Sequence, residues 1–220
     1  MIRILVINPN SSVEMTSSIL RSAAVARLPG TELAVVRTPD APAAIDTRED
    51  EDRAVTAMLR LPDLVGPADA VVIACFGDPG VSEVADRTGL PVIGMARAAM
   101  VHATRAHGSF GILAASHDAV GIMTDMVERY AMGDTCAGVQ AIGVGVAELD
   151  RDLPGHWDGI VSAARRLVAT GADSICLGCS ALGPVADVLS AELGVPVLDA
   201  VPIAVLAARA EVVTRAGSEV

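Results

Sequence analysis

Ala68-Asp69-Ala70-Val71-Val72-Ile73-Ala74-Cys75 and Ala172-Asp173-Ser174-Ile175-Cys176-Leu177-Gly178-Cys179 read as one pattern written twice. In each, an Ala-Asp pair opens a short apolar run that closes on a cysteine. The two cysteines stand 104 positions apart, and so do Ala68 and Ala172. Further along, Gly89-Leu90-Pro91-Val92-Ile93 matches Gly194-Val195-Pro196-Val197-Leu198, one residue out of that offset. Apolar runs of this length bounded by turn formers are strands. Each half is then a strand, a cysteine at its tip, a helix and a Gly-x-Pro-Val strand. Duplication accounts for the match better than chance likeness between Ala- and Val-rich segments.

Outward from this pair, strand-length runs recur at Ile2–Ile7, Leu33–Arg37, Val92–Ile93, Ser109–Ala114, Val139–Val144 and Val195–Leu198. Between several of them lie Ala-rich stretches with helical spacing: Met15–Arg27, Glu51–Leu61, Ala119–Tyr130, Trp157–Thr170 and Val185–Leu193. Strand alternating with helix predicts the α/β class, here as two pseudo-symmetric three-layer lobes with mostly parallel sheets and a cleft between them. The expected division is residues 1–96 and 97–199, with a C-terminal helix over 200–220 packing back on the first lobe.

Of the 220 residues, 52% are hydrophobic and only 2% aromatic. The core must therefore be Ala, Val, Ile and Leu, the usual filling of helices on a parallel sheet. The formal charge of −11, without a basic patch, argues against nucleic acid and anionic membrane as partners. No apolar run reaches the length of a spanning helix, and the start lacks the pattern of a secretory signal. A cytoplasmic protein with free thiols is expected. All 16 basic residues are Arg. With no lysine there can be no Schiff base, so a lysine-tethered pyridoxal phosphate enzyme is excluded, and no cofactor is expected.

Ligands of open α/β sheets bind outside the carboxyl ends of the strands. Cys75, before Phe76-Gly77-Asp78-Pro79-Gly80, and Cys179, before Ser180-Ala181-Leu182-Gly183-Pro184, both fall there. A helix N-terminus after each would favour thiolate and supply N–H groups to a developing enolate. Two opposed thiols suit inversion at a carbon acid, with one removing a proton and the other delivering a proton to the opposite face. Cys136 and Cys176 read instead as small buried hydrophobes. Cys176-Leu177-Gly178-Cys179 lacks the second ligand pair of a zinc site, and its second cysteine, not its first, takes the helix start that a redox pair would need. The four histidines (His102, His107, His117, His156) have no metal spacing, and His117 reads as a solvated loop residue. Glu49-Asp50-Glu51-Asp52 reads as the opening of a helix. Asn8-Pro9-Asn10-Ser11-Ser12 fits both a helix cap and a polar substrate contact.

These motifs resemble the aspartate/glutamate/hydantoin racemase superfamily, in its hydantoin and allantoin racemase branch. The resemblance rests on Asn8-Pro9-Asn10-Ser11, Ala74-Cys75-Phe76-Gly77-Asp78-Pro79-Gly80, Pro91-Val92-Ile93-Gly94, Leu177-Gly178-Cys179 and Gly194-Val195-Pro196-Val197-Leu198-Asp199. It implies a cofactor-independent racemase or epimerase in which Cys75 and Cys179 are the two bases, acting on a 5-substituted hydantoin or allantoin. It also implies substrate contacts from Asn10, Ser11 and Ser116 and from the backbone after each cysteine (Phe76, Gly77 and Ser180), no metal, and a homo-oligomer. The chain departs from the branch at Arg97, where Glu is common; an Arg97 that reached the cleft would favour an anionic substrate. Amino-acid racemisation, maleate-type isomerisation and a non-catalytic sensor on the same fold are the alternatives.

Overall fold

The computed structural model describes residues 1–26, 28–61 and 64–218. The expected helix ends at Arg27 and at residues 219 and 220 lie outside the described residues. The first sheet is built from β1 (Ile2–Asn8), β2 (Thr31–Arg37), β3 (Ala70–Ile73) and β4 (Val92–Gly94) in the order β2-β1-β3-β4. The second is built from β5 (Phe110–Ala114), β6 (Cys136–Ala141), β7 (Ile175–Leu177) and β8 (Val197–Leu198) in the order β6-β5-β7-β8. Every pairing in both sheets is parallel. The α/β fold in two lobes is as the sequence implied, and the same strand order twice is what a duplicated half-chain should give.

The helices are α1 (Val13–Val25), α2 (Arg48–Met58), α3 (Val81–Thr88), α4 (Met95–His107), α5 (Asp118–Arg129), α6 (Val146–Arg151), α7 (Trp157–Ala169), α8 (Ala186–Leu193) and α9 (Ala200–Ser218). A 3-10 turn over Ser180–Val185 precedes α8. Three of these, α3, α4 and α6, lie outside the segments assigned from sequence. Helix α4 begins directly after β4 and carries the chain, through residue 97, from the first sheet to the second. Helix α9 packs on α1 and α4 and covers β1, β3 and β4, so the C-terminus returns to the first sheet.

Local rules explain the helix starts. Ser12 caps α1 by accepting from the Met15 N–H, and Thr47 and Asp50 form a reciprocal capping box on α2. Glu49, Asp50 and Glu51 lie in the first turn of α2, where the dipole favours negative charge. One strand differs from expectation: β6 spans Cys136–Ala141 rather than Val139–Val144. Beyond Ala141 the chain leaves the ladder, with Gly143 at φ +90°, in the left-handed region that only glycine enters freely.

One large core of Ala, Val, Ile, Leu and Met runs through both lobes and includes β1, β3, β5, β7 and the inner faces of α4, α7 and α9. A smaller cluster fills the outer side of the first sheet around Leu5, Ile7, Val71, Ile73 and Val84. Because the lobes share a core across α4, the strand tips are held at fixed separation rather than joined by a loose linker. Among the described residues no helix is long and apolar enough to cross a membrane.

Candidate active site

The two cysteines are held alike. The residue before Cys75 donates its N–H to β1 (Ala74 N to Ile7 O, 2.9 Å), and the residue before Cys179 donates to β5 (Gly178 N to Leu113 O, 2.9 Å). Each sulfur then accepts a backbone N–H from two residues on, Gly77 for Cys75 and Ala181 for Cys179. Across the lobes, the Ser180 hydroxyl donates to the Ala74 carbonyl at 3.3 Å, beside the Met95 sulfur at 3.6 Å. The residue after one cysteine is thus bonded to the residue before the other. Consistent with that closeness, a charge on Cys179 acts on the Cys75 thiol.

The electrostatics differ from the sequence expectation. Burial pushes Cys75 up to about 12, helped by the negative charges of Glu51, Cys179 and Asp78 and opposed by the Gly77 N–H. Burial likewise pushes Cys179 up to about 12, helped by Asp46 and Asp150 and opposed by the Ala181 N–H. The thiolate-favouring helix ends are not there. Cys75 is separated from α3 by the turn Phe76–Gly80, and Cys179 precedes a 3-10 turn rather than an α-helix. One N–H per sulfur does not offset the loss of water. Cys75 is partly exposed as a residue and Cys179 is 8% exposed. Five surface cavities of 330 to 740 Å³ are lined by other residues. The thiols lie along the seam where the two cysteine loops meet.

The other residues assigned from sequence lie at the same strand ends. Asn10 and Ser11 follow β1, Ser116 follows β5, and these strands pair with β3 and β7, which carry the cysteines. Asn10 is 6% exposed; its Oδ1 accepts from Asn8 Nδ2 (2.8 Å) and from the Ser12 N–H (3.0 Å), and its own amide nitrogen has no partner among the described residues. Ser11 is half-buried and its N–H donates to the Pro42 carbonyl. Ser116 accepts from the Ala119 N–H in the first turn of α5, at 3.3 Å. Phe76 is 2% exposed and its ring packs in the large core, which leaves its backbone for the substrate contact expected after Cys75. Gly77 carries no side chain because a Cβ there would lie 1.8 Å from Glu51 Oε1. Arg97 is exposed; its side chain borders a groove between α4 and α9, among residues that include neither cysteine.

Several residues near the thiols were not assigned from sequence. The segment from Asp46 to Glu51 leaves the first lobe and is fastened to the second. The Val146 N–H donates to Asp46 Oδ1 at 3.2 Å, and Arg48 pairs with Asp125. Asp46 acts on Cys179 and Glu51 on Cys75, so this strap spans both. Ser12 reaches Asp150 from the other side (3.2 Å). Asp78, 4% exposed at φ +47°, accepts from the Ala96 and Arg97 N–H groups (2.9 and 3.0 Å) and from the Tyr130 hydroxyl (2.9 Å). It caps α4 and ties the Cys75 loop to α5. The Asp-Pro-Gly after Cys75 was a visible signal for this turn. The acidic run at Glu49–Asp52 gave none for Glu51 beyond its helix start. Cys176 is fully buried in β7 and Cys136 half-buried in β6, as expected of core cysteines. No cluster of three or more His, Cys, Asp and Glu able to hold a metal occurs among the described residues.

By its relatives the chain is an isomerase of the racemase class. The chain belongs to the Asp/Glu/hydantoin racemase family, whose model matches residues 4–208. It is 34% identical over 206 residues to a hydantoin racemase from Paenarthrobacter aurescens, covering 92% of this chain and 87% of the relative. To a hydantoin racemase from Rhizobium meliloti it is 34% identical over 209 residues, covering 93% and 86%. An allantoin racemase from Klebsiella pneumoniae superposes with a TM-score of 0.91 at 32% identity, over 97% of this chain and 89% of that one. Within the family the chain stands with the hydantoin and allantoin racemases.

Proposed function

We propose that the chain racemises a 5-substituted hydantoin or allantoin, without a cofactor, by proton transfer between Cys75 and Cys179. One sulfur, as thiolate, takes the proton from the stereocentre. The electron pair moves into the neighbouring carbonyl as an enolate, and the other sulfur, as thiol, returns a proton to the opposite face. The sulfurs end with their protonation states exchanged, and the reverse reaction uses them in the opposite order. The observation that carries this reading is the bond from Ser180 to Ala74, which brings the two matched cysteine loops together across the lobes.

The charges favour a neutral cyclic ureide. Asp46, Glu51, Asp78 and Asp150 all act on the thiols, and Arg97 points into the α4–α9 groove. A dicarboxylate would meet like charge with no cation among the groups that act on the sulfurs. A ureide's carbonyls also stabilise the carbanion without any charge in the ground state.

The test is incubation of an enantiopure 5-substituted hydantoin in D₂O, following optical rotation and exchange at C5. Loss of rotation with deuterium uptake is the expected result. Cys75→Ser and Cys179→Ser should each abolish racemisation while leaving exchange of one enantiomer. Racemisation that survives both replacements would sink the mechanism, and binding without exchange would make the chain a sensor.

A further inference from the structure

Glu51 stands out among the carboxylates of the seam because no hydrogen-bond donor among the described residues serves it. Asp78 accepts three hydrogen bonds, Asp46 accepts one from Val146, and Asp150 accepts one from Ser12. Glu51 accepts none, and its Oε1 is the single enclosed side-chain oxygen or nitrogen without a partner among the described residues. Such an atom is costly to keep and asks for a reason. Burial raises the affinity of this carboxyl for its proton, while Arg48 and Arg129 oppose the shift.

Its position supplies the reason. Glu51 lies on the strap that crosses both thiols, and its carboxyl presses on Gly77, where even a methyl group would collide with it. Gly77 is the residue whose N–H holds the Cys75 sulfur. A carboxyl oxygen beside the proton-transfer sulfur, with no donor of its own, is an acceptor held ready for a donor that arrives with the substrate. A cyclic ureide has such a donor on the ring nitrogen bonded to its stereocentre. When Cys75 faces that carbon, this N–H is the nearest polar hydrogen to the sulfur.

We infer that Glu51 is a specificity-determining residue that accepts the N–H next to the substrate's stereocentre and so orients the ring against Cys75. The inference rests on the ureide reading above. It explains why the Gly at position 77 meets a carboxyl rather than an apolar side chain, and why that carboxyl is left unserved by the fold.

The experiment compares wild type, Glu51→Gln and Glu51→Ala on a 5-substituted hydantoin and on its analogue methylated at the nitrogen beside C5. Racemisation gives kcat and KM, and competitive inhibition by the methylated compound gives its affinity. Wild type should favour the parent over the methylated compound by about 10- to 100-fold, the worth of one hydrogen bond to a carboxylate. Glu51→Ala should lose most of that preference, and Glu51→Gln, which keeps an acceptor oxygen, should retain part of it. Thermal melts of the three proteins separate misfolding from altered recognition. Equal preference in wild type and both variants overturns the inference while leaving the ureide reading in place. Wild-type protein inert on every hydantoin overturns both.

Discussion

Ser180 and Ala74 are joined by a hydrogen bond of 3.3 Å that crosses the boundary between the lobes. Ser180 is 8% exposed and its hydroxyl has Met95 as its other neighbour, so the bond is shielded from competing water. A shielded neutral hydrogen bond contributes on the order of 1 kcal/mol to stability. Its larger effect is on geometry, because it sets how far the Cys179 loop stands from the Cys75 loop. Ser180→Ala should therefore lower the melting temperature by only a few degrees. The same change should reduce kcat for racemisation by about tenfold or more, since small misplacements of reacting groups are expensive. A kcat unchanged within twofold would mean that the spacing of the thiols is set elsewhere.

The pH dependence follows from the raised thiols. Both cysteines sit at about 12, so near neutral pH the resting pair is almost entirely thiol. The base form becomes available only as pH rises. kcat/KM should climb close to tenfold per unit between about pH 7 and 9, and iodoacetamide should modify Cys75 faster along the same slope. The stability contribution has the opposite direction. The folded thiols hold their protons more tightly than unfolded ones, so their contribution is complete below about pH 8.5 and is lost as pH rises towards 12. A plateau of activity already reached at pH 7 would show that the substrate complex lowers one thiol far below its resting position.

Two glycines mark how closely the sulfurs are packed. At Gly178 a Cβ would fall 2.8 Å from the Leu113 carbonyl oxygen and 2.9 Å from the Met123 side chain. The Leu113 backbone cannot yield, because that oxygen already accepts the Gly178 N–H. Gly178→Ala should cost about 1–3 kcal/mol and displace Cys179. At Gly77 the obstacle is the end of the Glu51 side chain, which can swing away. Gly77→Ala should thus be milder in stability, and Glu51→Ala should relieve what it does cost. A thermal-melt double-mutant cycle on Gly77 and Glu51 checks this; additive costs would separate the two residues.

What the sequence made legible was the part that repeats. Matched apolar runs 104 positions apart, with Gly-x-Pro-Val strands one residue out of that offset, marked the strands and the place of the cysteines, because strand formation is local and the duplication doubled the signal. Most of the surroundings came from contacts between distant segments. Asp46 and Glu51 reach the thiols only because α2's leading segment is fastened to Val146 and Asp125, some 80 to 100 residues away. Nothing local in Glu49–Asp52 distinguishes a capping run from a strap. The thiol environment is illegible for a related reason. A cysteine before a turn-rich stretch suggests a helix N-terminus, but the number of residues between the sulfur and the first helical turn decides whether the dipole reaches it, and here α3 starts only at Val81. The ring of Phe76 packs in the core, which its place in the turn after Cys75 does not reveal locally.

Asp78 combines three jobs that a substitution series can separate. It caps α4 through the Ala96 and Arg97 N–H groups, accepts the Tyr130 hydroxyl, and holds a left-handed backbone at φ +47°. Asn tolerates that backbone better than other non-glycine residues but brings an amide NH₂ towards donors; Ala keeps neither the backbone preference nor the acceptors. Loss of a cap costs about 1 kcal/mol, an unserved buried hydroxyl adds a similar amount, and a left-handed Ala adds about 1 kcal/mol more. Asp78→Ala should therefore destabilise by about 3 kcal/mol, Asp78→Asn by less, and Tyr130→Phe by about 1 kcal/mol. Burial also raises Asp78 to about 6, so wild type carries a charge penalty that grows as pH rises through that value. Asp78→Asn has no such titration. Chemical denaturation at pH 4.5 and 7.5 should show a smaller pH difference for the Asn variant than for wild type, and equal differences would place the titration on another group.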